Sequence, residues 1–423
     1  MSLFSPNTWP FSLDWLPVDA YLVGGSVRDR LLKRQPTYLD LDFVLAGRAV
    51  ETASAIAHAY GAGFVVLDEA RQIARVVFDR TTVDFAQQQG DSLEADLYRR
   101  DFTINAIAYH PQTQTLVDPL EGKSDIASQS VRMVSYQNLE ADPLRLLRAY
   151  RQAAQLGFTI TPETQAAIRQ LAPQLKTVSI ERVRSELDAL LSVPSSLSIT
   201  SSRNQLNLIE HLTLKSQLLQ FCLPHFDAES IEQLAAIDLA MNHLAERLPC
   251  YAARLQGWLK PVPAGFHRSW IKAAKLSRLL SAQPIYAEAE LMALRYSRSE
   301  SQVILSLLKA QPDIEAMRDG PLSRSQQFFL FKAVGSGFWA MSLLAIAQGV
   351  TLDTLKPMIE KFLNAEDKIA HSQPLITGDV LIKRLGMKPG PEIGKALKAV
   401  EMAQAKGYVR NSQEALVWVQ QII

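Results

Sequence analysis

Residues 21–47 read YLVGGSVRDRLLKRQPTYLDLDFVLAG. An apolar run meets a Gly-Gly pair, the helical-looking stretch SVRDRLL follows, and a second apolar run carries Asp40 and Asp42 one residue apart. A strand, a glycine turn and a helix start together let backbone N–H groups face an anion. Glycine permits close approach, and the first helical N–H groups lack an intrahelical partner. Gly24 and Gly25 supply the turn, and Arg28 in the first helical turn can reach the same anion. Taken alone, a Gly-Gly before a helix is equally an ordinary turn. The aspartates sharpen the choice. Residues i and i+2 of a strand point to one side, and two carboxylates there repel each other unless a cation lies between them. Oxygen ligands of this kind suit Mg²⁺, which takes a few carboxylates plus substrate phosphates. A solvated edge strand is the plainer reading of a lone Asp-x-Asp. Asp84, in TTVDFA, is a third carboxylate on another predicted strand. On a neighbouring strand it completes a two-metal site with ions about 3.5–4 Å apart; otherwise it faces solvent.

Working outward, AVETASAIAHAYG reads as a helix closed by Gly61. GFVVLDE, IARVVFD and TTVDFA read as short β-branched strands, and TINAIAYHPQTQTLVDPL as a strand, a turn and a second strand. These elements predict an α+β domain over residues 1–134. Beyond it the strand signals almost vanish. From EADPLRLLRAYRQAAQLGF onward, apolar residues recur at helical spacing, with breaks expected at Pro173, Pro194, Pro261, Pro284, Pro312, Pro357 and Pro374.

The 423-residue length implies two to four domains. A 48% hydrophobic and 21% charged composition predicts a soluble globular chain. With a net charge of +1, any nucleic-acid contact must come from a local basic face. No apolar run is expected to span a membrane, and the N-terminus MSLFSPNTWPFSLDW lacks the pattern of a signal peptide. Cys222 and Cys250, in no metal-type spacing, suit a reducing cytoplasm. The seven histidines are scattered and form no HExxH or His-Asp cluster.

Five ordered stretches, GGSVRDRLL, LDLDFV, RRDFTINAIAY, DPLEG and ADPLRLLRAYR, resemble the class II tRNA nucleotidyltransferase and poly(A) polymerase family. The resemblance implies a polymerase-β-like nucleotidyltransferase head over residues 1–134. An all-helical remainder would follow it: a neck over 135–200, a body over 201–365 and a tail over 366–423 that meets tRNA. It implies that Gly25 and Arg28 contact the incoming nucleotide and that Asp40 and Asp42 hold Mg²⁺. Arg100 meets the nucleotide, and Asp101 and Asn105 shape the ribose region. Asp142 and Arg145 read the base edge of CTP or ATP, with Arg148 and Arg151 helping to hold the nucleotide. The spacing agrees in part. Asp142, Arg145 and Arg148 are expected on one helical stripe, where an Asp-Arg pair presents both an acceptor and a donor to a base edge. A bidentate side-chain–base pair gives about 1–3 kcal/mol of discrimination. The stretch SIERVRSEL (Ser179–Leu187) resembles a further motif of the family and is read as a capped helix start supporting the neck.

The implied reaction is nucleotidyl transfer to a tRNA 3′ end, with CTP and ATP as candidate donors and Mg²⁺ as cofactor. Two departures bear on which nucleotide is added. The selector motif has Ala141 where the family carries Glu. The link between VDFA and DLYRRDF is only QQQGDSLEA, whereas members that complete the CCA end carry a longer charged loop there. CC-addition from CTP is therefore expected first, full CCA addition next, and A-addition or poly(A) synthesis after that. An RNA-binding protein with an inactive head is disfavoured by the presence of Asp40, Asp42 and Arg145. The tail stretch KRLGMKPGPEIGKALKAVEMAQAKGYVR carries seven Lys or Arg, and its Gly390-Pro391 pair predicts a helix start. Oligomeric state has no signature in the sequence.

Overall fold

The computed structural model describes residues 8–34, 39–192, 228–255 and 269–422. The breaks expected at Pro194 and Pro261 lie outside the described residues. The chain forms two compact units, Met1–Glu186 and Leu187–Ile423.

The first unit is built on a seven-stranded mixed sheet: β1 (Tyr21–Val23), β2 (Leu39–Leu45), β3 (Gly63–Asp68), β4 (Ile73–Phe78), β5 (Thr81–Gln87), β6 (Ala108–His110) and β7 (Thr115–Val117). Their order is β3-β4-β5-β2-β1-β6-β7. The β2–β5 pair is parallel, and the other pairs are antiparallel. Alternation in β2 decides the faces. Leu41, Phe43 and Leu45 are buried, with Phe43 stacked on Phe85 of β5. Together with Leu22, Val76 and Val83 they form one apolar core with helix α2 (Ala49–Tyr60). Asp40 and Asp42 are left on the other face. Gly61 ends α2 in the left-handed conformation, as expected. Helix α1 (Gly25–Leu31) follows β1, and α3 (Leu93–Tyr98) and α4 (Gly122–Ala127) complete the α+β part. The glycine of DPLEG is required by packing. A Cβ on Gly122 would lie 2.3 Å from the Thr103 carbonyl oxygen, and the Asp118 carboxylate accepts from the Gly122 and Lys123 N–H groups at 2.7 and 2.9 Å.

Four helices follow: α5 (Tyr136–Ala141), α6 (Leu144–Leu156), α7 (Pro162–Leu171) and α8 (Ile180–Leu191). Here one expectation is corrected. Asp142 does not share a helical stripe with Arg145, because it adopts an extended conformation (φ −138°, ψ 90°) between α5 and α6. Pro143 disfavours helical backbone at the residue before it.

Among the described residues the second unit is helical throughout. Its main core gathers Phe331, Phe338 and Trp339, with Phe362 at 4.6 Å from Phe338, ring to ring. A separate cluster in the tail includes Leu381, Ala396, Val400 and Val419. Pro284 and Pro312 open helices and Pro391 sits at N1 after Gly390, consistent with proline's tolerance in a first turn. Pro357 is a correction. It lies inside the helix Leu352–Leu363, which runs through it because Leu355, Met358 and Ile359 are buried on one face. The expectation of no membrane-length apolar run also needs amending. The stretch Arg324–Ala347 is long and apolar enough by composition, but 67% of its apolar window is buried inside the protein. A turn at Gly335–Gly337 divides it into two core helices.

Candidate active site

The sheet register sets the site. Across neighbouring strands, Arg75 of β4 pairs with Asp84 of β5, Asp84 with Asp42 of β2, and Asp42 with Val23 of β1, which leads into Gly24. Asp40 pairs with Thr82, whose hydroxyl donates to Asp40 Oδ1 at 2.5 Å. Gly24 adopts φ +74°, a conformation glycine takes without steric cost. A Cβ there would lie 3.5 Å from Asp42 Oδ2 and 3.4 Å from Arg100 Nη1. The bare glycine backbone therefore forms a cradle between a carboxylate and a guanidinium.

The carboxylates crowd one another. Burial, and then the charges of Asp40 and Asp84, push the Asp42 carboxyl up to about 7, against the opposing pull of Arg100 and Arg75. Such a shift reflects burial together with crowding by like charge. The donors are all oxygen, so the cluster fits a hard divalent cation. Asp84 is adjacent, as β5 requires, but Arg75 takes both of its oxygens, at 2.7 and 2.8 Å. No group of three or more His, Cys, Asp or Glu side chains placed to hold an ion occurs among the described residues. Asp40 and Asp42 are thus the pair open to a metal, and Asp84 contributes charge through the network.

Around this cluster stand the arginines. Arg28 donates through Nη1 to Asn105 Oδ1 at 2.7 Å and pairs with Asp29. Arg100 is anchored by the buried Asp96 at 2.9 Å. Arg148 pairs with Asp101 at 3.1 Å. Burial alone would push the Asp101 carboxyl up, but Arg148, the Asn105 amide, the Phe102 N–H and Arg145 outweigh it and hold it below the usual carboxylate range. Arg148 is raised in turn, chiefly by Asp101. Arg145 is lowered by burial, and its Nη1 donates to the Arg99 and Asn138 carbonyl oxygens at 2.9 and 3.1 Å. Asp142 is held by Arg182 of α8 at 3.0 Å. Arg151 turns away from this group to Glu186 of α8 and to Gln155.

Contacts and charges thus link Gly24, Arg28, Asp42, Arg100, Asp101, Asn105, Arg145 and Arg148 in one network, while Arg151 contacts Glu186 and Gln155. Sequence reasoning missed Arg75, Thr82, Asp96 and Gln152. A charged side chain amid the β-branched run of IARVVFD is the signal that points to Arg75. Gln152 carries no such mark.

A carboxylate pair, a glycine turn and converging arginines on one sheet face define a nucleotidyltransferase head. The profile described as "Poly A polymerase head domain" matches residues 20–132, and the one described as "tRNA nucleotidyltransferase domain 2" matches residues 267–419. The chain is 43% identical to a CC-adding tRNA nucleotidyltransferase of Synechocystis sp., over 98% of this chain and 96% of that one. It is 33% identical to an A-adding tRNA nucleotidyltransferase of Deinococcus radiodurans, over 96% and 95%. Its fold matches a solved CCA-adding enzyme in complex with ATP at a TM-score of 0.65 and 22% identity, over 95% of this chain and 89% of that one. The chain belongs to the tRNA nucleotidyltransferase and poly(A) polymerase family.

Proposed function

We propose that this chain adds CMP from CTP, twice, to the 3′ end of tRNA lacking its terminal CCA sequence. The observation that carries this reading is the link between β5 and α3. It is short, and hydrogen bonds hold it down. The Gln88 N–H donates to the Leu45 carbonyl oxygen at 2.7 Å, the Gln89 N–H to Asp96 Oδ1 at 3.0 Å, and the Gln88 side chain to the Gly90 carbonyl oxygen at 3.1 Å. A link so tied is not the long charged loop expected of a site that changes from CTP to ATP. The similarity to a CC-adding enzyme supports the same reading.

In this account Gly24 and Gly25 bring the backbone close to the nucleotide phosphates, and Arg28 and Arg100 neutralise their charge. Asp142 and Arg145 meet the base edge. Asp101 and Asn105 shape the ribose region, and Arg148 holds the nucleotide beside them. Asp40 and Asp42 would hold Mg²⁺, which would supply charge stabilisation for the attacking and leaving oxygens. The tRNA 3′-hydroxyl attacks the α-phosphate, a new phosphodiester forms, and pyrophosphate leaves. Positioning and charge neutralisation are the protein's share of the work. Tail residues 366–423, with the Gly390-Pro391 helix start, are assigned to the RNA backbone. A cytoplasmic site of action is part of the same reading, supported by the free thiol of Cys250.

The test uses purified protein and tRNAs ending at the discriminator base, after one C, and after CC, each with CTP or ATP. Two CMP additions and no AMP on the CC-ended tRNA are expected. Efficient AMP addition there would replace this reading with full CCA addition, and long A-tails on unrelated RNA with poly(A) synthesis.

A further inference from the structure

We infer that Gln152 is a positioning residue for nucleotide binding, acting through Asn105. Gln152 lies on α6 between Arg151 and Ala153 and is 3% exposed. Its Oε1 accepts from Asn105 Nδ2 at 3.0 Å, the same nitrogen that donates to Asp101 Oδ1 at 2.9 Å. On the other side of the amide, Asn105 Oδ1 accepts from Arg28 Nη1 at 2.7 Å. Asn105 is itself buried, at 5% exposure, so solvent cannot replace a lost partner.

The orientation of the Asn105 amide has one consistent solution. An amide offers two N–H donors on one side and an acceptor on the other. Asp101 Oδ1 and Gln152 Oε1 are both acceptors, so Nδ2 must face them, and Oδ1 must then face the Arg28 guanidinium. Reversing the amide would set oxygen against two oxygens and nitrogen against a cation. Asn105 thus joins the two charged groups: Arg28 directly, and Arg148 by way of Asp101, which Arg148 pairs with at 3.1 Å. Gln152 is the neutral partner that fixes this joint from α6. In a buried polar network, losing one partner loosens its neighbours. The inference rests on the reading that Arg28 and Arg148 contact the nucleotide.

The test is a double-mutant cycle in the full chain. Gln152→Met keeps length and volume but removes the acceptor. It should raise the KM for CTP about fivefold to tenfold, the scale of one buried hydrogen bond, with kcat within about twofold and the KM for tRNA unchanged. A merely structural lesion would move both KM values and the melting temperature together. In an Asn105→Ala background the same substitution should have almost no effect on the KM for CTP. Gln152→Asn, which withdraws the acceptor by one methylene, serves if the Met variant fails to fold, with the same direction expected. An unchanged KM for CTP in the Gln152 variants, or an equal effect with and without Asn105, would overturn the role of Gln152. If Asn105→Ala itself leaves the KM for CTP at the wild-type value, the underlying assignment of this network to the nucleotide fails instead.

Discussion

At the scale of single residues, the site is a matter of unbalanced charge. Asp42 sits between Asp40 along its own strand and Asp84 across the sheet, and burial first, then their charges, push its carboxyl up to about 7. The sign of the consequence follows from proton linkage. A folded-state value above the unfolded one means that the metal-free fold binds the extra proton, so this group's contribution to stability falls as pH rises from about 4 towards 7. A divalent cation binds the deprotonated form and relieves that loss. Millimolar Mg²⁺ should therefore raise the melting temperature more at pH 8 than at pH 5.5, and the difference should vanish in Asp42→Asn. Equal Mg²⁺ shifts at both pH values would contradict the metal assignment. A second expectation concerns activity: Asp40→Ala with Asp42→Ala should abolish CMP transfer with the circular-dichroism spectrum unchanged. The aspartate pair could be read from the sequence because strand period puts i and i+2 on one side. The Arg75 partner of Asp84 could not, because it depends on which strand adjoins β5.

At the scale of elements, α8 ties down two residues in and before α6. Arg182 holds Asp142 and Glu186 holds Arg151, which gives a physical content to SIERVRSEL beyond a helix start. Ala141 offers no carboxylate beside Asp142, which is held by Arg182 at 3.0 Å and by the Leu144 N–H at 3.4 Å. Arg182 is half exposed, so the pair is worth only about 0–1 kcal/mol. Arg182→Ala should accordingly raise the KM for CTP by a few fold and narrow the preference for CTP over UTP, with little change in melting temperature. This arrangement was invisible in the spacing of ADPLRLLRAYR. The periodicity fits one continuous stripe, but Pro143 interrupts it and frees Asp142 from the helix. The DPLEG turn is the opposite case, since its glycine and aspartate are each accounted for by packing. Gly122→Ala should cost about 1–3 kcal/mol in denaturant unfolding, because its Cβ would collide with the Thr103 carbonyl.

At the scale of the whole molecule, the order of strand-rich and helical segments is plain in the sequence, since period 2 gives way to period 3.6 after residue 134. The interior of the second unit was not legible. Lys272 is 1% exposed there and pairs with Asp188 and Glu300 at 3.1 and 3.2 Å, while Tyr296 donates to Asp188 at 2.5 Å. Nothing in a helical pattern marks a lysine as buried. Lys272→Met would leave two buried carboxylates without their cation and should cost about 3–5 kcal/mol in denaturant unfolding. The proposed CC-addition turns on one property, the refusal of ATP once CC is in place. The direct measurement is single-turnover extension of CC-ended tRNA with ATP, beside extension of tRNA ending at the discriminator base with CTP. CC-addition predicts two CMP additions to the latter and no detectable AMP addition to the former. AMP addition at a rate comparable to CMP addition would contradict it.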